Sequence, residues 1–263
     1  MAKNKPIGAF DSGVGGTSIW KEFHQLLPNE NTIYLADSKN APYGNRTKEE
    51  IILLSSKNTQ KLIELGCKII VVACNTATTN AISELRKNFD IPIIGIEPAI
   101  KPAALMSQSG SIGVLATKGT LSSDLFASTS KDYLKNINVV EVQGIGLVPL
   151  IEKGELTGEK IEALLKKYLN PMIEAKVDHV VLGCSHYPYL IPTLEKLLPE
   201  HIQIIDSGKA VARQIKKILE EKDLLNEDNL TPSLKFYTNS DPATLYLLLE
   251  EYKHRISIEE MEF

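Results

Sequence analysis

Two of the three cysteines lie at the ends of two similar apolar segments, about half a chain apart. Cys74 follows the β-branched run 68–73, Cys184 follows the run 178–183, and small polar residues come after each thiol. Ligands of open α/β sheets bind at the carboxyl ends of parallel strands. One thiol in each half of a duplicated molecule can flank a small substrate, and this is what moving a proton from one face of a carbon to the other requires.

The cysteines belong to a longer repeat. The segment Ile7–Gly13 resembles Ile112–Gly119, and short apolar strands that end in Glu97 and Asp206 follow the two thiols at a nearly constant offset. Parallel strands are generic Val/Ile runs, which explains the similar strands but not the matched cysteines. The sequence therefore predicts an internal duplication.

Composition and charge limit the class of protein. The chain has 263 residues, 43% of them apolar and 24% charged, with a net charge of −4 and no basic cluster, so we expect no nucleic-acid partner. No run approaches the roughly 18 apolar residues of a membrane span, and the first residues lack the apolar core of a signal peptide. Three cysteines fit reduced thiols better than a disulfide framework. We expect a cytoplasmic protein without a membrane partner.

Strands and helices alternate along the chain, which is typical of parallel sheets covered by helices. Strands are predicted near Ile7–Phe10, Thr32–Ala36, Lys68–Ala73, Ile93–Ile96, Ser111–Leu115, Val139–Val142, Val177–Gly183, Ile202–Ile205 and Leu234–Tyr237. Thr47 and Glu50 form a capping box that predicts the start of a helix. Further helices are predicted near Lys209–Glu221 and Pro242–Tyr252.

The predicted fold class is α/β, with two pseudo-symmetric lobes, each a mainly parallel sheet flanked by helices, and the active site in the cleft between them. Residues 1–97 with 208–263 form the first, discontinuous lobe, and residues 98–207 form the second. The C-terminal segment, read as helices plus one short strand, is too small to stand alone and is expected to return to the first lobe. The two chain crossings would then act as a hinge.

Two loops carry polar residues at strand ends. Asp11-Ser12-Gly13-Val14-Gly15-Gly16-Thr17 leads into a helix and matches neither a dinucleotide fingerprint nor a P-loop, so a small carboxylate is its expected ligand. The alternative is a tight turn that Asp11 caps. The loop Pro42-Tyr43-Gly44 would offer amides and the Tyr43 hydroxyl to a ligand, or be only a turn.

His186 lies two residues after Cys184, close enough to lower the pKa of the thiol and to shuttle its proton. A structural histidine is the alternative, as we interpret the other four. Helix N-termini are expected after both Cys74 and Cys184, where they favour thiolates. Cys67 has no partner motif and is interpreted as structural, and no Cys/His spacing predicts a metal site.

Taken together, these motifs resemble bacterial glutamate racemases over essentially the whole chain. The matching segments are Phe10–Thr17, Pro42–Gly44, Ala73–Ala77 and Gly183–Pro188. The resemblance implies an enzyme of the aspartate/glutamate racemase superfamily that uses no cofactor, is usually a homodimer and supplies D-glutamate for peptidoglycan.

The resemblance also implies roles for individual residues. Cys74 and Cys184 match the catalytic thiols, Asp11 assists the first and His186 the second, and Glu152 matches a further acid near the second. The substrate-binding positions that it implies are Asp11, Ser12, Tyr43, Gly44, Asn75, Thr76, Ser185 and His186. The family usually has Thr where this chain has Ser185, so the hydroxyl is kept and slightly looser positioning is expected.

In the mechanism so implied, one thiolate removes the α-proton and the opposite thiol delivers another to the far face. Three alternatives stay open. The first is a racemase of aspartate or another small amino acid. The second is a Cys-His hydrolase with Cys184 as nucleophile and His186 as base, which leaves Cys74 and Asp11 without a role. The third is a protein that binds a small anion or a partner without catalysis.

Overall fold

The computed structural model describes residues 2–133, 137–228 and 230–263. The strands in this part of the chain are β1 (Ile7–Asp11), β2 (Thr32–Ala36), β3 (Ile69–Val72), β4 (Ile93–Gly95), β5 (Ser111–Ala116), β6 (Asn138–Gln143), β7 (His179–Gly183), β8 (Gln203–Ile205), β9 (Leu234–Thr238) and β10 (Ile256–Glu260). The helices are α1 (Thr17–Leu26), α2 (Lys48–Glu64), α3 (Asn75–Asn88), α4 (Ile100–Met106), α5 (Lys118–Leu121), α6 (Asp124–Tyr133), α7 (Leu147–Ile151), α8 (Glu159–Glu174), α9 (Ile191–Leu197), α10 (Gly208–Glu221) and α11 (Ala243–Leu248). Short 3₁₀ turns cover Ser38–Asn40, Tyr43–Asn45, Tyr187–Leu190 and Glu250–Tyr252.

The strands form two parallel sheets, with the orders β10-β9-β2-β1-β3-β4 and β6-β5-β7-β8. Strands β1 to β4 lie in the order β2-β1-β3-β4, and strands β5 to β8 repeat that order in the second sheet. The duplication inferred from the matched cysteines is therefore present in the topology. The predicted α/β class with two pseudo-symmetric parallel sheets is confirmed.

Helices cover both faces of each sheet. In the first sheet, Ile7 and Ala9 of β1 pack in a cluster with α1 and α10, while Phe10 points to the opposite face, toward α2 and α3. In the second sheet, α7, α8 and α9 pack on one face and α4 and α6 on the other. Strands that are buried on both faces need apolar residues at every position, which explains the continuous Val/Ile runs of the sequence.

The C-terminal segment adds two strands to the first sheet, because β9 pairs with β2 and β10 pairs with β9. The expectation of a single strand in this segment is wrong, since Ile256–Glu260 forms β10. That strand lies at the sheet edge and is only half-buried, so its pattern is weaker than that of the central strands. The division into residues 1–97 with 208–263 and residues 98–207 stays a prediction.

Two local features bear on the predicted helices. The capping box of α2 is formed: the Glu50 amide donates to the Thr47 hydroxyl at 3.2 Å, and the Thr47 amide donates to the Glu50 carboxylate at 2.8 Å. The helix expected over Pro242–Tyr252 is shorter, because α11 ends at Leu248 and a 3₁₀ turn follows. Among the described residues, none of the helices combines the length and the apolar character needed to cross a bilayer.

The two chain crossings between the sheets lie side by side. The Ser207 hydroxyl, just before α10, donates a hydrogen bond to the carbonyl of Glu97, just after β4. Ser18 of α1 also donates to the carbonyl of Ser185, at 2.8 Å, across the interface between the sheets. The carboxyl edges of the two sheets are thus held against one another.

Candidate active site

Both thiols lie where the topology places ligand sites. Cys74 comes just after β3, whose neighbour β1 ends at Asp11, and Cys184 comes directly after β7, whose neighbour β5 leads into Thr117. In open α/β sheets of this order, the crevice at the carboxyl ends of the two central strands is the usual binding site. The thiols are buried, with 4% and 6% of their residues exposed.

Cys74 is the N-cap of α3. Its sulfur accepts a hydrogen bond from the Ala77 amide at 3.4 Å and donates one to the Ser12 hydroxyl at 3.7 Å. Burial raises the pKa of Cys74 well above its ordinary value, and the charge of Asp11 raises it further, whereas the Ala77 and Ser12 hydrogen bonds lower it less. The helix terminus favours the thiolate as expected, but burial outweighs it and the thiol is neutral here.

Asp11 links the two sheets. Its carboxylate accepts the Gly16 amide at 2.9 Å, so it caps the turn before α1, and it also accepts the Ser185 hydroxyl at 3.1 Å from the second sheet. Burial raises the pKa of Asp11, the nearby His186 cation lowers it and the charge of Glu152 raises it. A carboxyl of this kind exchanges protons nearer to neutrality than an exposed aspartate does.

His186 connects Cys184 to a carboxylate. Its Nδ1 lies 3.8 Å from the Cys184 sulfur, and its Nε2 lies 2.5 Å from Oε1 of Glu152. Burial alone lowers the pKa of His186, but its partners outweigh burial and the pKa lies well above the ordinary value. These partners are, in decreasing order of effect, Cys184, Glu152 and Asp11. The imidazole is therefore held as a cation beside the Cys184 sulfur.

The expected helix N-terminus directly after Cys184 is wrong. The chain instead forms the 3₁₀ turn Tyr187–Leu190, and α9 begins only at Ile191. Pro188 lies in the first turn of that segment, where its missing amide hydrogen is tolerated. The positive charge beside Cys184 comes instead from the His186 side chain.

Glu152, the acid matched on the least patterned segment, lies within the site. It follows α7, and its carboxylate accepts hydrogen bonds from His186, from the Val14 amide at 2.8 Å and from the Ser38 hydroxyl at 2.9 Å. A Cβ at Gly13 would lie only 2.0 Å from Oε1 of Glu152. Glycine at position 13 is thus what allows the carboxylate to approach the loop.

The glycine-rich loop differs from the open anion cradle expected of it. The amides of Val14 and Gly16 are hydrogen-bonded to the protein's own carboxylates, Glu152 and Asp11. A Cβ at Gly15 would lie 2.2 Å from Nδ1 of His186. The glycines therefore let side chains of the second sheet pack against the first. A pattern of glycines does not by itself distinguish this use from anion binding.

Asn75 and Thr76 begin α3 next to Cys74. Both polar atoms of the buried Asn75 amide lack a hydrogen-bond partner among the described residues, although buried polar groups are normally paired. The Thr76 hydroxyl lies 2.8 Å from that of Thr117 and 3.3 Å from that of Thr120. These unpaired amide atoms and clustered hydroxyls are suited to a small polar ligand.

Thr117 and Thr120 belong to no motif that the sequence alone identifies. The signal available for Thr117 is the repeat itself, because Thr117 follows β5 as Ser12 follows β1. Gly44 belongs to the same group, since a Cβ at this position would lie 2.9 Å from Cβ of Thr117.

The Tyr43 hydroxyl is hydrogen-bonded to buried polar side chains of its own lobe. It donates to the carboxylate of Asp37 and accepts the Asn58 amide at 3.1 Å. Burial and the charge of Asp37 raise the pKa of Tyr43. Asp37 also accepts the Asn239 amide at 2.6 Å, so the turn is fixed to the end of β9. The hydroxyl expected to meet a ligand thus holds its own loop in place, and Asp37, which joins these contacts, was not recognised in the sequence.

Cys67 has the surroundings expected of a structural thiol. Burial raises the pKa of Cys67 to about 12, and Gly8 leaves room for its sulfur, as expected of a structural thiol. Within the described residues, no group of three or more His, Cys, Asp or Glu side chains is arranged to hold a metal ion.

Two pseudo-symmetric lobes, each with a buried thiol at the carboxyl edge of its sheet, define a class of α/β isomerase. The chain belongs to the Asp/Glu/hydantoin racemase family, whose model matches residues 16–215.

Within this family the similar proteins are glutamate racemases. That of Herpetosiphon aurantiacus is 44% identical over 92% of this chain and 95% of its own length. The crystal structure of the Escherichia coli glutamate racemase, with L-glutamate and the activator UDP-MurNAc-Ala, has a TM-score of 0.85 and 31% identity, and covers 98% of each chain. That of Francisella tularensis with D-glutamate has a TM-score of 0.84 and 29% identity, covering 99% of this chain and 98% of the other. The resemblance inferred from the motifs is confirmed.

Proposed function

We propose that this protein interconverts L- and D-glutamate by proton transfer at Cα between Cys74 and Cys184, without a cofactor. One observation carries the proposal: each lobe brings a buried thiol to the same edge, and each thiol has its own proton-handling neighbour. Cys74 lies beside the charge of Asp11, and Cys184 lies beside a protonated His186. The thiols are close enough for Cys184 to raise the pKa of Cys74.

The charges of the two half-sites suit opposite tasks. Cys74 is the neutral thiol and so the proton donor, while Cys184 beside the imidazolium is the base. After one turnover the roles are exchanged, and the reverse reaction restores them. The substrate ammonium adds a positive charge that stabilises thiolates, and burial of the thiols keeps water from the carbanion.

The polar groups around Cys74 are proposed to bind the substrate carboxylates. The unpaired amide of Asn75 and the hydroxyls of Thr76, Thr117 and Thr120 are donors at this edge. The relatives are named glutamate racemases, and the E. coli and F. tularensis structures hold the two glutamate enantiomers. Both findings favour glutamate over aspartate. A Cys-His hydrolase leaves Cys74 and Asp11 without a role and is not favoured.

Three further properties are proposed from the family resemblance. The enzyme is a homodimer, it works in the cytoplasm, and its D-glutamate supplies peptidoglycan synthesis.

The test is the loss of circular dichroism of pure L-glutamate with the reduced protein and no added cofactor. We expect decay to zero signal, abolished in both Cys74→Ala and Cys184→Ala and retained in Cys67→Ala, the matched buried-thiol control. Decay with L-aspartate alone would move the specificity and keep the mechanism. No decay with either amino acid would contradict the proposal, and acyl-enzyme trapping on Cys184 alone would then support a hydrolase.

A further inference from the structure

Glu152 lies at the boundary between the lobes. It follows α7 of the second lobe, yet two donors to its carboxylate, the Val14 amide and the Ser38 hydroxyl, come from the first. Its main-chain carbonyl also accepts the Thr244 hydroxyl at 2.8 Å, from α11. Its remaining carboxylate partner is His186 of its own lobe. The side chain that supports the second thiol is therefore fixed mainly by the first lobe.

Ser38 is well placed to fix it. Ser38 begins a 3₁₀ turn directly after Asp37, a buried carboxylate that accepts hydrogen bonds from Tyr43 and Asn239. The Lys39 amide donates to Asn239 at 2.9 Å, which holds the turn from its other side. The backbone that carries the Ser38 hydroxyl is thus braced on both sides.

We propose that Ser38 is a positioning residue for the racemase: from the first lobe it holds the Glu152 carboxylate against His186, and so supports proton transfer at Cys184 in the second lobe. This inference rests on the proposed function and deepens it. Ser38 touches neither thiol, so it acts through Glu152 and His186.

The partial exposure of Glu152 determines the expected effect. Its side chain is 15% exposed, so water can replace a lost hydroxyl but not the fixed orientation of the carboxylate. The titratable groups that face His186 are Cys184 from its own loop, Asp11 at the end of β1, and Glu152. A carboxylate that rotates away takes with it part of the charge that holds the imidazolium, and the pKa of His186 then falls toward its ordinary value.

The rate constants alone cannot show which thiol is affected in a variant. The enantiomers have equal free energies in water, so kcat/KM is equal in the two directions for any variant. A slower step at one thiol is visible instead in the α-deuterium isotope effects. If proton transfer at Cys184 becomes slower, the isotope effect on kcat/KM rises for the enantiomer that Cys184 deprotonates. It falls for the enantiomer that Cys74 deprotonates.

The experiment compares Ser38→Ala with Ser38→Thr, which keeps the hydroxyl, and with Thr244→Val, which removes an interlobe contact at the Glu152 carbonyl. We expect Ser38→Ala to lower kcat about 3- to 10-fold, less than the full loss of a hydrogen bond to a charged group, because water partly replaces the hydroxyl at the exposed part of Glu152. It should also move the two isotope effects in opposite directions. Ser38→Thr should restore the wild-type isotope effects. Thr244→Val should raise KM and leave the pattern of isotope effects unchanged.

A second measurement does not need turnover. In histidine-labelled protein, an NMR titration should give a lower pKa for His186 in Ser38→Ala than in the wild type, with the resonance assigned by its loss in His186→Asn. An unchanged or higher pKa, isotope effects that move together, or the same pattern in Thr244→Val would each overturn the role of Ser38. A wild type that does not racemise glutamate would overturn the proposed function, and the titration would still decide whether Ser38 positions Glu152.

Discussion

The two half-sites occupy the same place in the fold but have different proton chemistry. Each thiol follows the third strand of a β-β-β-β unit with the same sheet order. Around Cys74, the neighbours are a carboxylate, a serine hydroxyl and a helix amide, whereas around Cys184 they are an imidazole and, behind it, a second carboxylate. The duplication thus preserved the position of the sulfur while the side chains around it diverged.

Burial favours the neutral forms of both Cys74 and His186, but it prevails only at Cys74. At Cys74, burial and the charge of Asp11 raise the pKa, and the opposing hydrogen bonds are too weak to compensate. At His186, burial favours the neutral ring, but the hydrogen bonds with Cys184 and Glu152 and the charges of Asp11 and Glu152 together outweigh it, and the pKa is raised. Burial therefore decides the ionisation at Cys74, where the opposing hydrogen bonds are weak, and the partners decide it at His186. The proposed mechanism needs one proton donor and one acceptor, and the difference between the halves is suited to both roles.

The strongest test of this comparison is the pair Asp11→Asn and His186→Asn. Because each removes the proton-handling group of one thiol, kcat should fall about 10²- to 10⁴-fold in both. The α-deuterium isotope effect should rise for one enantiomer in Asp11→Asn and for the other in His186→Asn. If the same enantiomer responds in both variants, the half-sites do not divide the work as described.

Packing of the glycine loop gives the next largest effect. Gly15→Ala places a methyl group only 2.2 Å from Nδ1 of His186, so the imidazole must move. A displacement of about 1 Å at a catalytic group costs roughly 10²-fold in rate, and kcat should fall by about that factor while the fold is kept.

The control for this variant is Gly110→Ala. Gly110 has a φ of +70° and no neighbour within 4 Å of an added Cβ, so only backbone strain results. It should lower Tm without lowering kcat. Full activity in Gly15→Ala would show that the loop and the imidazole are not in contact in solution.

The raised pKa of His186 predicts a pH-dependent stability. The folded-state pKa is above the unfolded value of about 6.5, so the partners of His186 stabilise the fold fully below that pH. This contribution is lost as pH rises through the folded pKa. The Tm advantage of wild type over His186→Asn should be largest near pH 6 and shrink toward pH 9, as measured by thermal unfolding. An advantage that grows with pH would mean that the ring is buried neutral.

The smallest effect is expected for a conservative change at Ser185, whose hydroxyl donates to Asp11 across the lobes. Ser185→Thr keeps the hydroxyl and should change kcat/KM by less than about threefold. Ser185→Ala removes a hydrogen bond to a charged group, worth about 1.5–3 kcal/mol, and should cost about tenfold or more in kcat/KM. Equal rates for the two variants would show that only the size of the side chain matters.

Much of the fold was predictable because its signals are local. Buried parallel strands must be apolar at every position, and the capping box of Thr47 and Glu50 needs only neighbouring residues. The edge strand β10 was missed because it is only half-buried and its pattern is correspondingly weak. The helix expected after Cys184 was wrong because the 3₁₀ turn Tyr187–Leu190 intervenes before α9.

The site was predictable only in part. Cys74, Cys184, Asp11 and His186 follow from strand ends and from the repeat. Contacts between residues far apart in the chain left no local signal.

The sequence by itself determined the two thiols, their places at the ends of matched strands, and the duplication that brings them to one edge, since these depend on residue type and periodicity. Only the tertiary structure decided which charged side chains lie beside each thiol. It placed Glu152 against His186. It also paired the amides of Val14 and Gly16 with the protein's own carboxylates, and directed the Tyr43 hydroxyl toward Asp37. The physical reason is that pKa values depend on burial and on the nearest partner charges, and both arise only when the two lobes meet.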